Sequence, residues 1–252
     1  MNLKYIYLLT LLFLASCGST RNLAYFSDLE DQAAYSEEIA NISEPTIQPD
    51  DILNITVSSQ NPEADALFNR GALPVAATTA GAGPEGYLVD KSGYVDFPVI
   101  GRVQLAGLSK EEAKLKIRTA LEEYMRDPIV HIRFLNFRVT VIGEVNRPAT
   151  LAIPSERINI LQALGMAGDM TAFGNRDNVL IIREESGKRN MVRLDLNSKN
   201  VLNSPYFYLQ QNDVVYVEPN KMKEVQASTN TRFLSIIVAA TSLATILVAR
   251  LL

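Results

Sequence analysis

Alternation of apolar and polar residues divides this chain into short strands and two helices, with an apolar run at each end. In "DILNITV", residues 51 to 57, Leu53, Ile55 and Val57 fall on one side, which predicts a half-buried strand. "GYLVDKSGYVDFPVIGRV", 86 to 103, predicts a hairpin turning at Asp90-Lys91-Ser92-Gly93, with Pro98 ending its second strand or holding it at an edge. "GLSKEEAKLKIRTALEEYM" then changes to the 3.6-residue period. Ser109 is its N-cap and Glu112 completes a capping box, and Ala113, Ile117, Ala120, Leu121 and Tyr124 form the expected buried stripe. Asp127-Pro128 stops this helix, and "IVHIRF", 129 to 134, returns as a strand in which His131 alternates against Val130 and Ile132.

The pattern restarts near residue 137. "RVTVIGEV", 138 to 145, predicts a strand with Val139, Val141 and Val145 inward, turned by Asn146-Arg147-Pro148. A short helix from about Asn159 to Ala167 buries Ile160, Leu161 and Leu164, with Met166 as a further candidate. Further strands are expected at 179 to 182, 191 to 196 and 212 to 219. "AGDMTAFGN" and the small-residue stretch 71 to 86 read as loops. Residues 18 to 45 lack a strong apolar repeat and suit a tether with room for one short helix. "VIG" occurs at 99 to 101 and at 141 to 143, but no fixed period supports a repeat.

The ends have a different character. Residues 1 to 16 carry Lys4, an apolar core from Ile6 to Leu14 and small residues before Cys17, the pattern of a secretory signal peptide. Its core is shorter than the roughly 20 apolar residues of a membrane span. Leu14-Ala15-Ser16-Cys17 resembles the lipobox of bacterial lipoproteins, which implies acylation at Cys17 and anchoring in lipid. Gly18, where many inner-membrane lipoproteins have Asp, implies by the same resemblance the outer membrane. The run from Phe233 to Ala249 lies between Arg232 and Arg250 and would rise about 26 Å as a helix, enough for a thin bilayer. Ser235, Ala239, Ser242, Thr245 and Ala249 recur on one face of it. That face suits a pore lining or a helix seam; a plain anchor whose hydroxyls bond their own backbone is the other reading.

Composition narrows the function further. A net charge of -4 over 252 residues gives no basic face for nucleic acid. With one Cys no internal disulfide can form, and with one His, His131, which reads as a solvent-side or satisfied strand residue, the usual His/Cys metal sites and His-based triads cannot be assembled within one chain. No nucleotide-binding loop or recognisable carboxylate pair is present, so an enzyme and a bound cofactor are not expected.

Taken in order, "IQPDDILNITV", "YLVDKSGYVDFPVIGRVQLAGLSKEEA" and "YMRDPIVHIRF" resemble the export domain of the bacterial polysaccharide export lipoproteins, the Wza-type translocon family. "VTVIGEVNRPATLAIPSERINILQALGMAGDMTAFGNRDNVLIIR" with "YLQQNDVVYVEP" is similar to a soluble-ligand-binding β-grasp domain. Asp50 and Asn212 stand where the family usually has Gly before Asp. The resemblance implies an α+β chain: signal peptide 1–16, tether 17–45, export domain 46–136, β-grasp domain 137–219, and linker with a C-terminal transmembrane helix 220–252. It implies export of capsular or exopolysaccharide across the outer membrane by a homo-oligomeric ring, eight subunits in the best-known relative, each giving its C-terminal helix to an α-helical pore. The polysaccharide, outer-membrane lipid and an inner-membrane copolymerase/tyrosine kinase are the implied partners. A periplasmic glycan-binding or scaffold lipoprotein without a pore is the competing reading.

Overall fold

The structure is a computed structural model, and it describes residues 23–29, 34–39, 44–69, 73–74, 85–155, 157–185, 187–228 and 235–243. The chain is a mixed α/β protein with two buried cores, one drawn from residues 47 to 132 and the other from 137 to 217.

In the first module, β1 (Ile52–Ser58) is the centre of a sheet ordered β2 (Leu73–Pro74), β3 (Glu85–Leu88), β1, β6 (Ile129–Phe134). Every pairing is antiparallel, and the β1–β6 register sets Ile55 opposite Ile132 and Val57 opposite Val130. That register brings two alternating patterns onto one face, so Leu53, Ile55, Val57, Val130 and Ile132 are all buried. His131 stands on the other face and is exposed. Helix α1 (Pro62–Phe68) follows β1, and α2 (Lys110–Leu121) closes the core with Ala113, Ile117 and Leu121. The capping box is formed as the sequence indicates: Glu112 N donates to Ser109 Oγ at 3.2 Å, and Ser109 N to a Glu112 oxygen at 2.7 Å.

Two expectations here are corrected. The turn at Asp90–Gly93 exists, held by Gly93 N to Asp90 O at 2.8 Å, but the strands it joins do not pair as a hairpin. β3 pairs with β1 and β2. The hairpin is formed one step later, by β4 (Tyr94–Phe97) with β5 (Gly101–Gln104) around Pro98. The helical stripe also ends one turn early. The helix terminates at Leu121, so the chain leaves its 3.6-residue period and Met125 enters the core while Tyr124 stays exposed.

The second module is a five-stranded mixed sheet ordered β10 (Lys188–Leu194), β9 (Gly174–Glu185), β11 (Val214–Pro219), β7 (Arg138–Gly143), β8 (Ala149–Ala152). Only the β7–β11 pair is parallel. Helix α3 (Ile160–Met166) begins at Asn159, which forms a second capping box with Gln162, and buries Ile160, Ala163 and Leu164. Met166 is exposed, contrary to expectation, because it lies about 110° round the helix from the face that Ile160, Ala163, Leu164 and Ala167 turn to the core. Helix α4 (Lys221–Ser228) follows β11.

The described parts of the N-terminal segment are a strap on the second module and form no helix. Phe26 N donates to Leu196 O at 3.1 Å, and Asp28 accepts from Lys199 N and Ser198 Oγ, both at 2.7 Å. Glu37 accepts from Asn203, and the Lys199 ammonium lies 4.7 Å from the centre of the Tyr35 ring.

Candidate functional site

The two modules meet through a pair of matching turns. Gln48-Pro49-Asp50-Asp51 precedes β1, and Gln210-Gln211-Asn212-Asp213 precedes β11. In each, the aspartate accepts from the glutamine amide at 2.8 Å and returns its own N–H to the glutamine carbonyl at 3.2 Å. The third residue is left-handed, φ 69° at Asp50 and 64° at Asn212. This explains the two departures from glycine: Asp and Asn are the side-chain-bearing residues that best tolerate that conformation.

The second turn also clamps the first module. Gln210 accepts from Thr46 N at 3.2 Å and donates to Glu44 O at 3.4 Å. Gln211 accepts from Arg138 N and donates to Asn136 O, both at 2.8 Å. Asn136 in turn accepts from Ile52 N at 2.9 Å and donates to Asp50 O at 3.0 Å. Phe134 and Phe137 lie 6.1 Å apart beside this network, and Phe134 packs against both cores. Sequence reasoning missed Gln210, Gln211 and Asn136; the shared Gln-x-x-Asp spacing at 48–51 and 210–213 was the available signal.

Asp51 sits at this seam fully buried, and burial pushes its carboxyl up to about 7, against the opposing Gln48 amide. Between the unfolded value near 4 and about 7, the folded chain holds a proton that the unfolded chain has lost. Stability is therefore expected to fall as pH rises through that window and to level off above it. Asp51→Asn, which can keep the Gln48 hydrogen bond, should flatten this slope. Denaturant titrations at pH 5 and pH 8 check it, and an unchanged slope would place the ionisation elsewhere.

A cleft of about 260 Å³ opens beside the seam, with Glu44, Lys110, Glu111, Arg133, Phe134 and Arg157 among its lining residues. At the other end of the second module, the Tyr25 hydroxyl donates to Asp169 and its ring lies 5.4 Å from the Arg176 guanidinium carbon. Burial first and Asp169 second push the Tyr25 phenol well above its ordinary range. The same loop takes the start of α4. Asn220 N donates to Phe173 O at 2.8 Å, and Lys223 lies 5.1 Å from the Phe173 ring centre and 3.4 Å from a Glu144 oxygen.

Residues 40–135 match the polysaccharide biosynthesis/export protein family, and residues 137–217 match the SLBB domain. The chain belongs to the polysaccharide export protein family. The EPS I polysaccharide export outer membrane protein EpsA of Ralstonia solanacearum is 28% identical over 143 residues, which is 56% of this chain and 38% of that protein. The protein of the same name from Ralstonia nicotianae is 27% identical over 144 residues, 56% of this chain and 37% of that protein. The alignment thus spans little more than a third of the length of these relatives.

Of the site residues expected from sequence, Cys17, Thr245 and Ala249 lie outside the described residues. Ser235, Ala239 and Ser242 fall on one face of a helical stretch, 235–243, and all three are exposed. Ser242 Oγ donates to Ala239 O at 2.9 Å, and Thr241 Oγ1 to Ile237 O at 2.9 Å. The expected membrane-spanning helix is not seen: among the described residues no helix is long and apolar enough to cross a membrane. The described stretch would rise only about 14 Å.

Proposed function

We propose that the chain is a subunit of an outer-membrane conduit for capsular or extracellular polysaccharide. In this reading it is acylated at Cys17, closed into a ring with further copies, and completed by a pore of C-terminal helices carrying Ser235, Ala239, Ser242, Thr245 and Ala249. The first module faces an inner-membrane copolymerase. Its support in the family is the export role and the outer-membrane location that the names of the curated relatives carry.

The single observation that carries it is the convergence of both ends on one pole of the second module. Tyr25, eight residues beyond Cys17, docks at Asp169 and Arg176, and α4 starts against Phe173 of the same loop. Eight extended residues reach at most about 28 Å. An acylated Cys17 therefore keeps this pole close to the membrane and turns the first module away. From there the helical stretch leaves Ile236, Ile237, Val238 and Leu243 more than half exposed on the isolated chain, a surface that needs lipid or neighbouring copies. A ring would supply both.

A plain-anchor scaffold lipoprotein is favoured by one detail, the hydroxyls of Thr241 and Ser242 bonding their own helix carbonyls. Mass measurement of the detergent-extracted native particle separates the two. The conduit requires a large ring and loss of surface polymer on deletion. A monomer or dimer, or a deletion strain that exports normally, would remove it.

A further inference from the structure

The cleft beside the seam holds two guanidinium groups with no carboxylate within ion-pair distance among the described residues. Arg102, Arg118, Arg126, Arg183, Arg189 and Arg193 each have a carboxylate within ion-pair distance. Among the described residues Arg133, Arg138, Arg147, Arg157 and Arg176 have none. Arg138 donates instead to Asn212, Arg176 lies over the Tyr25 ring and Arg147 sits beside Gly168, whereas Arg133 and Arg157 both line this one cleft. Of the cleft's two acids, Glu111 is already engaged by Lys114 at 2.5 Å. Arg133 comes from the exposed face of β6 in the first module, and Arg157 from the connection before α3 in the second. The Arg157 guanidinium lies 6.0 Å from the Tyr208 ring centre, a stacking position that leaves its N–H edge open. Between them Phe134 is half-buried and offers an aromatic surface.

We propose that this cleft is a subsite for one carboxylate-bearing sugar unit of the exported polymer. Arg133 and Arg157 hold the carboxylate as a charge-assisted fork, and Phe134 and the neighbouring prolines meet the C–H face of the ring. The proposal rests on the export reading and names its substrate class. A volume of about 260 Å³ is below the roughly 300–1,000 Å³ of pockets that enclose a drug-sized ligand. It suits a single unit gripped from one side. Weak binding is what passage demands, since a polymer must leave each site as readily as it enters, so a Kd on the order of 1 mM is expected.

The test uses the full-length protein in detergent and trigalacturonate as probe, with its neutral methyl ester as control, followed by ligand-observed NMR. The acid should bind, and the ester at least ten-fold more weakly. The Arg133→Gln/Arg157→Gln double variant should lose binding of the acid by a similar factor while its melting temperature stays at that of the parent. Each single variant gives an intermediate loss, which keeps the result readable if the double variant folds poorly. Equal binding of acid and ester, undiminished binding by the variants, or no binding by the parent overturns the subsite. Complementation of a deletion strain separates this from the parent reading: a protein that restores export yet ignores trigalacturonate defeats the subsite alone.

Discussion

Gly143→Ala is expected to destroy the second module, with a loss above about 4 kcal/mol, at the diagnostic end of single substitutions. Gly143 sits opposite Val217 in the parallel β7–β11 pair with φ 94°. A Cβ there would lie 2.0 Å from the Val217 carbonyl oxygen and 2.9 Å from its carbon. The obstacle is backbone, and that carbonyl is held at 3.0 Å by Glu144 N, so neither side can yield without parting the two strands. For a module of this size about 4 to 8 °C is lost per kcal/mol, so the melting temperature should drop by at least roughly 15 °C or the variant should fail to fold. Gly101 ends the other "VIG" and also has positive φ, 75°, but nothing lies within 4 Å of the place a Cβ would take. Gly101→Ala should therefore cost only about 1 kcal/mol of backbone strain. Circular-dichroism melts of the two variants side by side check the contrast; a Gly143→Ala protein melting within a few degrees of the parent would mean that the central pair has slack.

That contrast marks where the sequence stopped being readable. Strands with strict alternation, β1 and β6, and the helix opened by Ser109 and Glu112 were legible because pattern and cap are local. Strand β8 was not: Ala149–Ala152 is short and small-residued, and it becomes a strand because β7 offers an edge. The start of β9 was missed, since Gly174 and Asn175 read as the end of a loop and the strand was expected only from Val179, yet Gly174 pairs with Pro219 at the end of β11. The strap and seam were hidden for a different reason. Asp28 meets Ser198 and Gln211 meets Asn136 across long sequence separations, and a glutamine or aspartate carries no local sign of such a partner. The turns were half-visible, since Asp50 and Asn212 stood out as glycine replacements before their left-handed φ was known.

Arg183→Met should be the second severe loss, and its pH dependence tells why. Arg183 and Asp213 are buried, with side-chain exposures of 8% and 0%. Arg183 Nε donates to Asp213 Oδ1 at 3.1 Å and Nη2 to Oδ2 at 2.7 Å, while Nη2 also reaches Tyr208 O at 3.0 Å. Breaking a buried pair from one side leaves an uncompensated charge and costs about 3 to 5 kcal/mol. Burial already raises the Asp213 carboxyl above its ordinary range, with Arg183 pulling it down, so the variant's carboxyl rises further. A raised folded value means that the folded chain keeps a proton the unfolded chain has released, and stability declines as pH climbs from about 4 through that value. The deficit against the parent should thus be smaller at pH 4.5 than at pH 7.5 in urea titrations. An equal deficit at both would assign the loss to packing. Asp213 also closes the turn from which Gln210 and Gln211 clamp Thr46 and Arg138, so damage in the second core should reach the seam. Hydrogen exchange at the Thr46 and Arg138 amides is expected to quicken in Arg183→Met well below the melting temperature, because one carboxylate holds both the core pair and the joint between the modules.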